Sequence, residues 1–257
     1  MLFLFAKWQR MELNSKWLIA FALILVFACS AVFVRYEYQA NAGTSPDRDT
    51  VFQFAAFNTF STGKYTGVIL YSELKQHGDF GIGTFDGLNG EMLAIDGIFY
   101  QIPSSGIPKE VESNQTSPFA TVTYFEANKT FTVSGVNYTE LKTYLDSQLG
   151  SSLDVIYAIK ISGTYDYVQA RSPEKQVEPY LSLSDALKTQ AIFNFSDISA
   201  TAVGFWFPGS MNGIDPAGYH LHIITDDRTA GGHLLECIID NAIVEVDVIK
   251  RYSLVLP

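Results

Sequence analysis

The chain has 257 residues, 47% of them hydrophobic and 17% charged, with a formal net charge of −10. That is enough apolar material for the core of one large domain or two small ones. The acidity argues against a nucleic-acid partner, which needs a basic face, and reads as a contribution to solubility.

In chain order, Lys7, Arg10 and Lys16 precede Trp17 to Val34, eighteen residues without a charge. A basic n-region and an apolar h-region read as a signal peptide or membrane anchor over residues 1–35. The run is about long enough to span a bilayer as a helix; a buried core helix is the competing reading. Val26-Phe27-Ala28-Cys29 loosely resembles a lipoprotein cleavage box, and cleavage near Ala31 or Ala40, or an uncleaved anchor, are the other outcomes. Either a signal or an anchor places the body outside the cytoplasm, secreted or membrane-anchored. Only Cys237 remains in that body, so no intrachain disulfide is expected.

Residues 36–50 are polar and rich in turn formers, and read as a linker. Residues 51–60 alternate as a first strand. Ser72 to His77 is a short helix stopped by Gly78. Residues 85–100 read as two strands joined at Asn89-Gly90, a hairpin signal. Pro103 to Pro118 is a loop, and 119–126 and 130–136 are strand-like. Residues 139–149 form the best helix, with Thr139 as cap, Leu141, Tyr144, Leu145 and Leu149 on one face, and Gly150 as stop. Residues 155–161 and 165–171 are strands around a Ser-Gly-Thr turn, and Ser184 to Gln190 is a short helix. Strands at 201–208, 219–225, 233–238 and 242–253 complete the chain. The fold class is α+β, strand-rich, with few short helices.

Of the four histidines, three fall within fourteen residues: His220, His222 and His233. In the strand from Tyr219 to Ile224, His220 and His222 point the same way. The turn formers from Asp226 to Gly232 fold the chain back, so His233 opens the returning strand beside them. Three imidazoles converging on one face leave a fourth position open, which is how catalytic zinc is usually held. An HxH pair alone would more often be two ordinary strand histidines; the third histidine tips the balance. His77 reads instead as the last turn of a helix. Glu91 opens the strand after Asn89-Gly90, on the face of Leu93 and Ile95, and on its own would be read as a solvated strand end. Arg171 alternates with Tyr165, Tyr167 and Gln169, and on its own would be read as a surface ion pair.

The sequence resembles the acetolactate decarboxylases. The resemblance is carried by Gly78-Asp79-Phe80-Gly81-Ile82-Gly83-Thr84-Phe85, Asn89-Gly90-Glu91-Met92, Asp96-Gly97, Phe99-Tyr100-Gln101, Ala170-Arg171-Ser172, Tyr219-His220-Leu221-His222 and the run from Thr225 to His233. It covers roughly Phe52 to Pro257, and its last block is the most specific, because a metal triad and a whole turn match together. The resemblance implies two sheet-based domains, approximately 51–165 and 166–257 with the metal in the second, and a homodimer. It implies zinc on His220, His222 and His233, with Glu91 and Arg171 as catalytic partners. Family members usually continue past the final strand into a tail that can supply another acidic residue; this sequence ends at Leu254-Val255-Leu256-Pro257.

The implied reaction converts 2-acetolactate to acetoin and CO2. Zinc chelates the hydroxyl and ketone oxygens and acts as a Lewis acid on the developing enediolate. Arg171 orients the departing carboxylate and Glu91 delivers the proton. No organic cofactor is needed. Two other readings share the triad: a zinc hydratase of the carbonic anhydrase type, and a non-enzymatic exported zinc-binding protein. The GDFGIGTF and NGEM segments and Arg171 speak against the first, and Glu91 against the second.

Overall fold

The computed structural model describes residues 47–150 and 155–257. The expected export segment lies outside the described residues, as does most of the expected linker. Among the described residues no helix is long and apolar enough to cross a membrane. Residues 47–257 form one compact unit.

Two sheets build it. The first has seven strands: β1 (Thr50–Phe54), β3 (Phe80–Thr84), β4 (Glu91–Ile95), β5 (Ile98–Ile102), β6 (Lys109–Glu110), β8 (Ala120–Thr123) and β14 (Arg251–Val255), in the order β14-β1-β8-β3-β4-β5-β6. Its edge pair, β1 with β14, is parallel and runs from Thr50↔Arg251 to Phe54↔Val255. The second sheet has five strands: β9 (Lys129–Asn137), β10 (Ile156–Ser172), β11 (Ala191–Phe207), β12 (Gly218–Thr225) and β13 (Gly231–Ile249). It closes on itself, because β13 pairs with both β12 and β10. The two-residue strands β2 (Ile69–Leu70) and β7 (Thr116–Ser117) pair separately. The helices are short except one: α1 (Phe57–Phe60), α2 (Tyr71–Leu74), α3 (Tyr138–Leu149) and α4 (Leu183–Ala186).

β3 and β4 are buried at every residue, because both faces of this part of the sheet are covered. One face packs on α1 and α2 through Phe60, Tyr71, Leu74, Met92 and Ala94. The other meets the second sheet, where Phe80, Ile82, Leu93, Ile95 and Ile102 pack against Ala158, Val203, Phe205 and Ile224. Glu91 shares strand parity with Leu93 and Ile95, and so points into this seam. On the far side, α3 seats Leu141, Leu145 and Leu149 against β10 and β13. Each such side chain contributes about 1.5–3 kcal/mol of burial.

Several element boundaries differ from those expected. The strand expected over 51–60 ends at Phe54, where Ala55 adopts a φ of 67° and the chain turns into α1. The tight hairpin sits at Asp96-Gly97, both with positive φ, rather than at Asn89-Gly90, which ends a longer connection from β3 to β4 containing a 3-10 turn. The cap of α3 is Asn137, not Thr139; Asn137 and Glu140 form a reciprocal capping box. The Ser-Gly-Thr segment is no turn. A Cβ on Gly163 would lie 2.1 Å from the Asn241 carbonyl oxygen, so this glycine lets β10 run unbroken against β13. Likewise the strands expected at 233–238 and 242–253 are mostly one, β13. The boundary expected near 165 falls inside β10, and β9 and β14 each lie in the sheet opposite to the one that boundary gives them.

Candidate active site

One row of side chains crosses three neighbouring strands. Arg171 on β10 is the register partner of His233 on β13, and His233 is the partner of His222 on β12. Directly opposed residues share a face, and His220 joins them two residues before His222. A glycine precedes His233 for a steric reason: a Cβ on Gly232 would lie 2.5 Å from the Arg171 carbonyl oxygen. The three imidazole centroids lie 5.0, 5.2 and 5.3 Å apart. One potential ligand atom from each falls within 4.8 Å of the others.

The first sheet closes the site from the other side. Glu91 is buried on β4. Its Oε1 accepts a hydrogen bond from Arg171 Nη1 at 3.1 Å, and its Oε2 lies 3.5 Å from His222 Nε2. The lone-residue readings of both are thus overturned: Glu91 is no solvated strand end, and Arg171 makes its ion pair in the interior. The next residue of β4 also takes part, since the Met92 carbonyl oxygen lies 2.7 Å from His222 Nδ1. That contact is a hydrogen bond when Nδ1 carries the proton, which leaves the Nε2 lone pair free for an electrophile.

The electrostatics follow from burial. Desolvation pushes the pKa of Glu91 up, with Arg171 and then His220 pulling it back. Desolvation drives the pKa of His222 and of His233 well below the ordinary imidazole value, with neighbouring positive charge adding to the effect. Both rings are therefore neutral near pH 7, as a metal ligand must be. His222 Nε2 and His233 Nδ1 are buried with no hydrogen-bond partner among the described residues. Unpartnered buried nitrogens converging with a carboxylate alongside fit a divalent cation.

These groups open onto a cavity of about 300 Å³ whose wall includes Phe57 and Phe60 of α1, Phe119, Leu183 and Leu187. All five residues expected at the site are therefore brought together, while His77 stacks on Phe52 instead. The sequence reading missed the apolar wall, the Met92 carbonyl and the buried Asp215 beside His220. None carries a local signature, because each reaches the site only through tertiary packing.

The profile of the alpha-acetolactate decarboxylase family matches residues 51–257. An alpha-acetolactate decarboxylase of Methanosarcina mazei is 46% identical over 210 residues, covering 81% of this chain and 73% of that one. One from Bacillus subtilis is 36% identical, covering 80% of this chain and 81% of that one. The crystal structure of alpha-acetolactate decarboxylase from Bacillus subtilis strain 168 superposes with a TM-score of 0.79, over 81% of this chain and 89% of that chain. A Staphylococcus aureus protein described as similar to alpha-acetolactate decarboxylase gives the same TM-score at 29% identity. With its matched strands carrying the histidine triad and the Glu91–Arg171 pair, this chain belongs to the alpha-acetolactate decarboxylase family.

Proposed function

We propose that the chain is a zinc enzyme that converts 2-acetolactate to acetoin and CO2, with Glu91 and Arg171 as its catalytic residues. The observation that carries this reading is the hydrogen-bonded Glu91–Arg171 pair beside three histidines in one cavity. A zinc hydratase has no use for that pair, and a metal-storage protein none for the apolar wall.

His220, His222 and His233 would hold the metal. Once bound, it supplies Lewis-acid stabilisation of the negative charge that builds on the ketone oxygen as CO2 departs. The guanidinium of Arg171 has five N–H donors in a fixed fork. One is engaged on Glu91, and others remain to orient the substrate carboxylate over the scissile bond. The apolar wall receives the two methyl groups and keeps bulk water from the carbon that gains electron density. Glu91 then delivers a proton to that carbon. Its raised pKa suits it to hold a proton at a pH where an exposed carboxylate would have lost it.

The test is CO2 release from racemic acetolactate by the purified full chain, before and after chelation, with zinc restored. Release that chelation leaves untouched overturns the zinc reading. On sequence grounds, residues 1–35 direct export, and a reporter fused after Asp49 that is active only in the cytoplasm refutes that. The implied homodimer is checked by light scattering, against a protomer mass of 28.5 kDa.

A further inference from the structure

Asp215 lies between Met211 and β12, almost fully buried, five residues before His220. Its two carboxylate oxygens have different surroundings. Oδ2 accepts a hydrogen bond from Thr121 Oγ1 on β8 at 2.9 Å. Oδ1 has no hydrogen-bond partner among the described residues, and neither has His220 Nδ1; these two buried atoms face each other at 3.9 Å. An unpaired carboxylate oxygen inside a protein costs several times what one made hydrogen bond contributes. Closing by less than one ångström would satisfy both atoms at once.

The carboxylate is held in place from behind. Thr121 Oγ1 also contacts Gln53 Oε1 on β1 at 3.4 Å, and Gln53 Nε2 donates to the carbonyl oxygens of Ala55 and Ile214 at 2.8 and 2.6 Å. Tyr252 on β14 completes the cluster by donating its hydroxyl to Gln53. The ligand atoms that converge come from the three histidines and not from Asp215. Asp215 therefore stands behind His220 rather than inside the triad.

We infer that Asp215 is a positioning residue: it accepts the Nδ1 proton of His220 and so fixes the tautomer that turns Nε2 toward the metal. This rests on the metal reading above. A carboxylate behind a metal-binding imidazole orients the ring and raises its basicity. It also completes a pattern, because His222 has the Met92 carbonyl behind its own Nδ1. The two ligands of β12 would then be fixed by different means, one by a charge and one by a backbone dipole.

The test uses the full chain and zinc alone. Asp215→Asn keeps the shape, removes the charge and lets an amide N–H face Nδ1. Zinc affinity, measured by competition with a chelator, should fall about 10–100-fold, the usual effect of losing an outer-shell partner. Asp215→Glu should recover part of that loss, and Thr121→Val should show a smaller one. Independently, nitrogen NMR of the zinc-free wild type should find His220 protonated at Nδ1, and Asp215→Asn should shift that balance. Wild-type zinc affinity in Asp215→Asn, or His220 protonated at Nε2 in the zinc-free wild type, overturns the inference. A merely structural role would lower the melting temperature and leave both readouts unmoved. If Asp215→Asn does not fold, the wild-type tautomer decides. Failure of the wild type to bind zinc would sink the metal reading instead, and the tautomer would still test Asp215.

Discussion

The two sheets meet at one cavity but supply it with different chemistry. The five-stranded sheet gives the three histidines and Arg171, all nitrogen, from strands that pair along much of their length. The seven-stranded sheet and its helices give the carboxylate of Glu91, the Met92 carbonyl and most of the apolar wall. The metal ligands should therefore reside in one sheet and the proton donor in the other. The Glu91–Arg171 hydrogen bond is where the two divisions touch.

The most severe way to probe this division is His222→Ala. It removes one ligand of three, and zinc affinity should fall at least about a hundredfold, beyond what an outer-shell loss produces. Elemental analysis showing wild-type zinc in that variant would dissolve the triad. Next is Glu91→Gln, on the opposite sheet. Zinc content should stay near normal while turnover drops by roughly two to four powers of ten, the usual contribution of general acid–base catalysis. Single-turnover rates close to wild type would make Glu91 structural.

Arg171→Ala tests the junction between the sheets. It should raise KM and lower kcat together, since the carboxylate grip is lost. It also removes the charge that holds the Glu91 pKa down. The limb of the pH–rate profile due to Glu91 should then move to higher pH, and a limb that stays in place would uncouple the pair.

Acidification sharpens the comparison in the metal-free protein. His222 and His233 have pKa values far below the unfolded value of about 6.5. Their contribution to stability is complete above that pH and is lost progressively as pH falls below it, until the folded pKa is reached. Glu91, with its pKa raised, acts in the opposite sense: its contribution is present at low pH and is lost as pH rises through its folded value. In a chelator, the urea midpoint should be lower at pH 5.5 than at 7.5, and the drop between the two should be larger in Glu91→Gln, which lacks the opposing term. Equal midpoints at the two pH values would mean that the imidazoles take up protons without leaving their places.

The smallest expected effect is at the seam itself. Ser172 on β10 donates to the Ile102 carbonyl oxygen of β5 at 2.6 Å, fully buried. Ser172→Ala should cost about 1 kcal/mol, read as a shifted denaturant midpoint with an unchanged slope. An unchanged midpoint would show that the sheets hold together by apolar packing alone.

The sequence made the triad legible because its signals are local. Alternation puts His220 and His222 on one face, and a glycine-rich turn brings His233 back beside them. Glu91 and Arg171 needed the family resemblance, since their contact joins two sheets across 80 positions. Asp215 was hidden for a related reason: its neighbours Thr121 and Gln53 are set by strand order, which alternation cannot give. The fold class was legible from the many strand-like runs and single strong helix. Strand lengths were not. Gly163 looks like a turn residue in a sequence and serves here to let two backbones approach.

The pairing of β1 with β14 carries a consequence for how the protein is made. Thr50 and Arg251 are 201 positions apart, so this edge depends on contacts of very high sequence separation, which form slowly. On the ribosome, the first strand of this unit must wait for the last, and meanwhile one edge of β1 stands bare as a template for stray pairing. Because β14 also brings Tyr252 to Gln53, the support behind His220 is complete only once this last strand has docked.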